Sequence, residues 1–202
     1  MLREGHIGIT LAIISPIALI ISAVFPVYMG VIVLAGALTG SNLPDIDTSI
    51  RIVKHRGFTH TFWFAGIASV ASSVFMYITA TYILVGIGSV ASSVFTYITA
   101  TYIPPGTVIQ HPQSTQIVMS ILFGGGVGLG VITHLLGDVI TPTGIKPYHP
   151  VTPRDTLPVS VSEKKYVYEI AKASNKKYNA GFSILGVLSA SISAVIGITV
   201  FI

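Results

Sequence analysis

The sequence predicts an all-α, polytopic membrane helix bundle of four to six helices, with a polar site at its cytoplasmic face. Three observations carry that expectation. Of 202 residues, 51% are hydrophobic and 9% charged, whereas a soluble domain carries about a quarter charged residues, and the mean hydropathy is +0.80. Apolar stretches recur at about the length of one bilayer crossing, roughly 20 residues. The few histidines and carboxylates gather in short patches at the edges of those stretches, where such groups are costly to keep and therefore mark a site. One domain over residues 1–202 suits this length.

The stretches run in order. Ile7 to Phe25 is longer than the roughly 7 to 15 apolar residues of a secretory signal, and no A-x-A cleavage pattern follows, so it is expected to stay as a helix. Val27 to Leu38 is a short return. Phe58 to Ile103, Ile117 to Thr133 and Gly181 to Ile202 complete the set. Cysteine is absent, which excludes disulfides, thiolate ligands and a cysteine nucleophile. The glycines of GGGVGLG, Gly124 to Gly130, sit inside an apolar stretch with no following Lys and Ser/Thr. They read as close helix packing rather than a nucleotide loop, as do Gly36, Gly40 and the Ser/Ala positions of the third stretch.

That third stretch contains an internal duplication. GIASVASSVFMYITATYI at Gly66 to Ile83 returns at Gly86 to Ile103 with only Ala68/Gly88 and Met76/Thr96 changed. Two copies do not make a solenoid; a helix-length piece has been doubled, and one added crossing would reverse the side of everything that follows. Charge tests the parity. If the doubled segment crosses once, net, all 11 Lys and Arg lie on one side; if it crosses twice, those from Lys146 onward move to the other. The positive-inside rule favours an odd number of crossings and places that side in the cytoplasm of a plasma (inner) membrane protein. As one helix the segment would reach roughly 69 Å at 1.5 Å per residue, so a long protruding helix, or one span with a re-entrant or in-plane piece, is expected.

The polar patches supply the chemistry. His134 and Asp138 of HLLGD stand four apart on a predicted helix, so both project from one face, as ligands of one metal must. HRGFTH places His55 and His60 around Arg56 at the entrance to the third stretch. In SNLPDID, Asp45 and Asp47 alternate after Pro44, a loop pattern that can present one carboxylate inward and leave the other to orient an imidazole. His6 precedes the first stretch, and His149 closes TPTGIKPYHP. Imidazole and carboxylate donors without thiolate suit a divalent metal, zinc first, with manganese or iron as alternatives, and a set this large could hold two ions. Each residue also has a plain alternative: an interfacial flank for His6, a turn or helix cap for Asp45, positive-inside charge for Arg51, Lys54 and Arg56, and a local hydrogen-bonded pair for His134 and Asp138.

GHIGIT, LPDID, HRGFTH and HLLGDVITPTGI, in that order over about Gly5 to Pro150, resemble the YdjM-like family of predicted membrane-bound metal-dependent hydrolases. The resemblance implies an inner-membrane helical protein with a proposed metal-dependent hydrolase activity, and metal ligands at His6, Asp45, His60, His134 and Asp138, with Asp47 and His55 as further positions. The H-x-x-x-D helix is also similar, distantly, to that of the zinc-dependent phospholipase C group, whose helical sites cleave phosphate esters. Two departures stand out: the doubled segment replaces the single span expected after HRGFTH, and PYHP stands where a Trp-Pro ending is commoner, which leaves His149 without family support.

Residues 139–180 read as a cytoplasmic loop with a basic helix from Ser162 to Tyr178, capped by Ser162 and suited to an anionic leaflet. The net charge of +4 is explained by topology, so no nucleic-acid partner is expected; the partners expected are membrane lipid and a phosphate-ester substrate. The function expected is a metal-dependent hydrolase at the membrane face, in which Asp45 or Asp47 takes a proton from water and Arg56 holds the phosphate. The rival classes are a metal-binding or metal-transporting membrane protein without catalysis, and a scaffold whose site the duplication has broken. A site at the membrane mouth favours the first; ligands near mid-bilayer favour transport. Composition leaves the oligomeric state open.

Overall fold

In the computed structural model, which describes residues 1–48, 57–102, 113–142, 144–148 and 173–201, the chain is all-helical. Among the described residues five helices form: α1 (Arg3–Val24), α2 (Val27–Gly40), α3 (Phe62–Tyr102), α4 (Gln113–Val139) and α5 (Lys176–Phe201), with single 3-10 turns at Pro44–Thr48 and Phe58–His60. Five helical segments among the described residues are long and apolar enough to cross a membrane. Large apolar side chains such as Val31, Val70, Phe75, Ile184 and Val195 stand exposed on the outside of the bundle, an arrangement that suits lipid and not water.

Local chemistry explains where the helices stop. Pro26 has no N–H and forces the preceding Phe25 into an extended conformation (φ −121°, ψ 168°), so α1 ends there and α2 starts afresh. The α2 helix has only 14 residues, and the apolar segment reaches span length by running on through the Pro44–Thr48 turn to Ile46. Thr61 caps α3: its hydroxyl accepts a hydrogen bond from the Phe64 N–H at 3.2 Å. Beyond α4, Gly144 takes a positive φ of 53°, a conformation open to glycine, and the chain turns back so that the Phe62 N–H donates to the Pro147 carbonyl at 3.0 Å.

Small residues set the packing, as the sequence predicts. A Cβ at Gly126 would lie 2.4 Å from the Val33 carbonyl oxygen and one at Gly130 2.0 Å from that of Ala37, so α2 and α4 run side by side in the same direction with backbones almost touching. Gly124 meets Ser73 and Gly128 meets Ser69, so α3 runs antiparallel to α4. Gly8 and Gly186 do the same between α1 and α5, which are parallel. Inside α1, Pro16 cannot donate to the carbonyl of Ala12 four residues back. The Ser189 hydroxyl of α5 donates to that carbonyl instead, at 3.1 Å, supplying across the helix interface a bond the bilayer cannot.

The directions bring one end of the bundle together: α1, α3 and α5 start there and α2 and α4 finish there. The doubled segment forms a single unbroken helix of 41 residues, about 61 Å long at 1.5 Å per residue, and of the two arrangements expected it takes the long-helix one. The expected basic helix from Ser162 to Tyr178 falls mostly outside the described residues. Its last part is corrected: Ala173 and Ser174 form a turn, and Lys176 to Tyr178 are the first residues of α5. At that turn the Asn179 amide donates to the Ala173 and Asn175 carbonyls at 3.0 and 2.9 Å.

Candidate metal centre

Two helices and both short turns supply the polar residues of the shared end. His6 lies in the first turn of α1, His134 and Asp138 in the last turns of α4, Asp45 in the turn after α2, and His60 just before the cap of α3. The three imidazoles and Asp138 are almost fully buried, at 0–2% exposure, while the Asp45 side chain is 41% exposed. From His6 to Asp138 these residues span 132 positions of sequence, and the fold brings them to one point.

The donor atoms are spaced as a ligand set. The Asp138 Oδ2 lies 3.3 Å from His60 Nε2 and 3.6 Å from His134 Nε2, and the Asp45 Oδ1 lies 3.9 and 3.6 Å from the same two nitrogens. Around a zinc ion with donors at about 2.0–2.1 Å, adjacent donors of a tetrahedron are about 3.3–3.4 Å apart. His6 Nε2 faces the other oxygen, Asp138 Oδ1, at 3.5 Å; the Met1 amino group also reaches that oxygen, at 3.0 Å. Two triads satisfy the distances of a metal site, His6–Asp45–His134 and His60–His134–Asp138, each with donors within 4.8 Å of one another.

A hydrogen bond decides which nitrogen of His134 is available. The α2 helix ends at Gly40, and the C-terminal carbonyls of a helix have no partner within it. The carbonyl of Ser41 lies 2.8 Å from His134 Nδ1; a carbonyl only accepts, so Nδ1 carries the proton and Nε2 holds the lone pair. That Nε2 is buried and has no hydrogen-bond partner, and neither has His6 Nδ1. A buried acceptor left without a donor is costly, and a divalent ion would complete it, so the residues fit one. Because His134 has a single available nitrogen, the two triads cannot each hold an ion through it.

The surroundings hold the rings in place. His6 stacks on His134 with ring centroids 3.8 Å apart and planes 9° from parallel, and His60 meets His134 edge-on at 5.3 Å. One layer deeper, the hydroxyls of Thr10 and Thr133 share a 2.7 Å hydrogen bond that ties α1 to α4. The Asn179 Oδ1 accepts from the Leu2 N–H at 3.0 Å and fastens the start of α5 to the start of α1. Gly137 leaves the space His6 occupies: a Cβ there would lie 2.7 Å from His6 Nδ1.

All five metal candidates, His6, Asp45, His60, His134 and Asp138, therefore converge. Asp47 lies in the same 3-10 turn as Asp45, but its side chain is outside what is described, as are His55, Arg56 and His149 altogether. Ser41, Gly137, Thr10 and Thr133 were not singled out by sequence. Only Gly137 carries a sequence signal, a glycine in an H-x-x-G-D helix where helix propensity disfavours one.

The model of one family, described as YdjM inner membrane protein, matches residues 1–201. The chain belongs to this family. No curated protein and no solved structure matches it. Family membership agrees with the four sequence patches and with the five apolar helices, and it makes this a YdjM inner membrane protein with a buried His/Asp cluster able to hold a metal ion.

Proposed function

We propose that this YdjM protein is a multi-pass, metal-dependent hydrolase that acts on a phosphate ester at the cytoplasmic face of the inner membrane. The observation that carries the proposal is the convergence of His60, His134, Asp138 and Asp45 on one point at the end of the bundle, with three donors buried and one exposed. A bound divalent ion, zinc by donor type, would supply Lewis acidity toward a phosphoryl oxygen and a water of lowered pKa. His60, His134 and Asp138 would hold it, and His6 would pack against them. Asp45, at 41% exposure, stands where solvent enters, so its carboxylate is placed to take a proton from water. Burial of the imidazoles excludes bulk water from the other sides and strengthens every charge interaction inside.

Position speaks against the transport alternative. The donors sit in first and last helical turns and in the turns between, and not at broken helices in the middle of the spans. Sidedness follows from charge: Arg3, Lys146, Lys176 and Lys177 all lie at the same end as the cluster, which supports a cytoplasmic site. The activity test is hydrolysis of phosphatidic acid and of a soluble aryl phosphate by metal-loaded protein in detergent. Metal-dependent release of phosphate that is lost in Asp45→Asn, with metal still bound, supports the proposal. Metal binding with no release from either ester points to the non-catalytic alternative.

A further inference from the structure

We propose that Arg3 is the residue that recognises the substrate anion at this centre, gripping the non-reacting oxygens of a phosphoryl group at the mouth beside Asp45. The inference rests on the phosphate-ester proposal and names a residue for it that the sequence patches do not contain. Arg3 lies one turn before His6, at i and i+3, so the two share a face of α1. Its Nε donates to Asn42 Oδ1 at 2.9 Å. The Asn42 amide cannot be turned the other way round, because its Nδ2 donates to the Leu38 carbonyl at 2.7 Å. Asn42 in turn follows Ser41, whose carbonyl holds His134, and lies three residues before Asp45. A single short segment thus positions the guanidinium, a metal-facing imidazole and the exposed carboxylate.

With Nε engaged, the two terminal nitrogens of Arg3 remain as a fork that matches two phosphoryl oxygens. Among the described residues the Arg3 guanidinium makes this one side-chain hydrogen bond and no ion pair, and it is exposed. Charge gives the reason a cation is needed. Asp45 and Asp138 together cancel one divalent ion, metal-bound imidazoles are neutral, and the Met1 ammonium is buried against Asp138 Oδ1 at 3.0 Å, so the centre alone lacks an exposed cation for a phosphoryl dianion. A fixed guanidinium at the rim supplies it.

The test is calorimetric titration of inorganic phosphate into the full chain, detergent-solubilised and loaded with Mn²⁺. Wild type, Arg3→Gln, Arg3→Lys and His134→Ala are compared, with metal content measured for each. The expected result is a Kd for phosphate raised about tenfold or more in Arg3→Gln with metal content unchanged, a smaller rise in Arg3→Lys, and loss of metal and phosphate binding in His134→Ala. Phosphatidic acid in mixed micelles, titrated in the same way, separates the sources: an Arg3-dependent affinity greater for the lipid assigns a head group, and one greater for inorganic phosphate assigns a soluble ester. Unchanged phosphate affinity in Arg3→Gln, with binding lost in His134→Ala, overturns the role of Arg3 and leaves the phosphate-ester proposal standing. Loss of metal in Arg3→Gln also overturns it, since Arg3 would then shape the donors. Failure of loaded wild type to bind phosphate in either form overturns both.

Discussion

The Nδ1 of His134 donates to the carbonyl of Ser41 across 2.8 Å, joining the last turns of α4 to the point where α2 ends. This bond fixes the ring and its tautomer, so the metal affinity of the centre depends on where α2 stops. Gly40 precedes Ser41, and a Cβ there would lie 2.0 Å from the Val127 carbonyl oxygen. Gly40→Ala is expected to push α2 off α4 and lower zinc affinity about 10- to 100-fold, the range for loss of an orienting partner. Calorimetric zinc titration checks it, with Gly181→Ala as a control, because a Cβ at Gly181 meets nothing within 4 Å. Equal losses in both variants would show that the effect is general destabilisation.

Gly137→Ala is expected to act on the other side of the centre. The added methyl would enter the space of the His6 ring, 2.7 Å from Nδ1, and break its stack on His134. Zinc affinity should fall while thermal stability in detergent changes little, since the crowded atom is the end of a side chain and not backbone. A fall in stability with unchanged affinity would mean that His6 is a packing residue and not part of the centre.

Much of this was legible in sequence, for physical reasons. The apolar stretches and Pro26 mark the helices because hydrocarbon demands uninterrupted backbone bonding, and His134 and Asp138 share a face by helical period alone. Charge placement puts the patches of His60 and His134 on the same side of the membrane. What sequence does not carry is contact made by backbone: Ser41 acts through its carbonyl, which any residue possesses, and Thr10 with Thr133 reads as two ordinary small residues in apolar helices. The doubled segment is ambiguous for a related reason. Composition gives its length and polarity, whereas its course as one helix of 41 residues depends on nothing local interrupting it.

Ser189 and Pro16 give a stability prediction independent of the metal. Ser189→Ala leaves the Ala12 carbonyl without its 3.1 Å donor and should cost about 0.6–1.7 kcal/mol, the range for interhelical hydrogen bonds in a bilayer. In a Pro16→Ala background the restored N–H serves that carbonyl, so Ser189→Ala should cost markedly less. A double-mutant cycle on unfolding in mixed micelles measures the difference, and additive costs would show that the two residues do not share this carbonyl.

The topology is open to labelling, because the chain contains no cysteine. Single cysteines at Thr59, Thr143 and Gln113 are expected to react with an impermeant maleimide from the cytoplasmic, cytoplasmic and outer sides respectively. Labelling of Thr143→Cys from outside would mean two net crossings in the doubled segment and would separate the chain from the sidedness proposed.

Metal content tests the central claim most directly. Wild-type protein purified without chelators is expected to carry about one transition-metal ion per chain, and His60→Ala combined with His134→Ala to carry almost none while remaining folded and helical. Negligible metal in the wild type after zinc supplementation, or the same metal content in the double variant, would contradict the assignment of His60, His134, Asp138 and Asp45 as a metal centre.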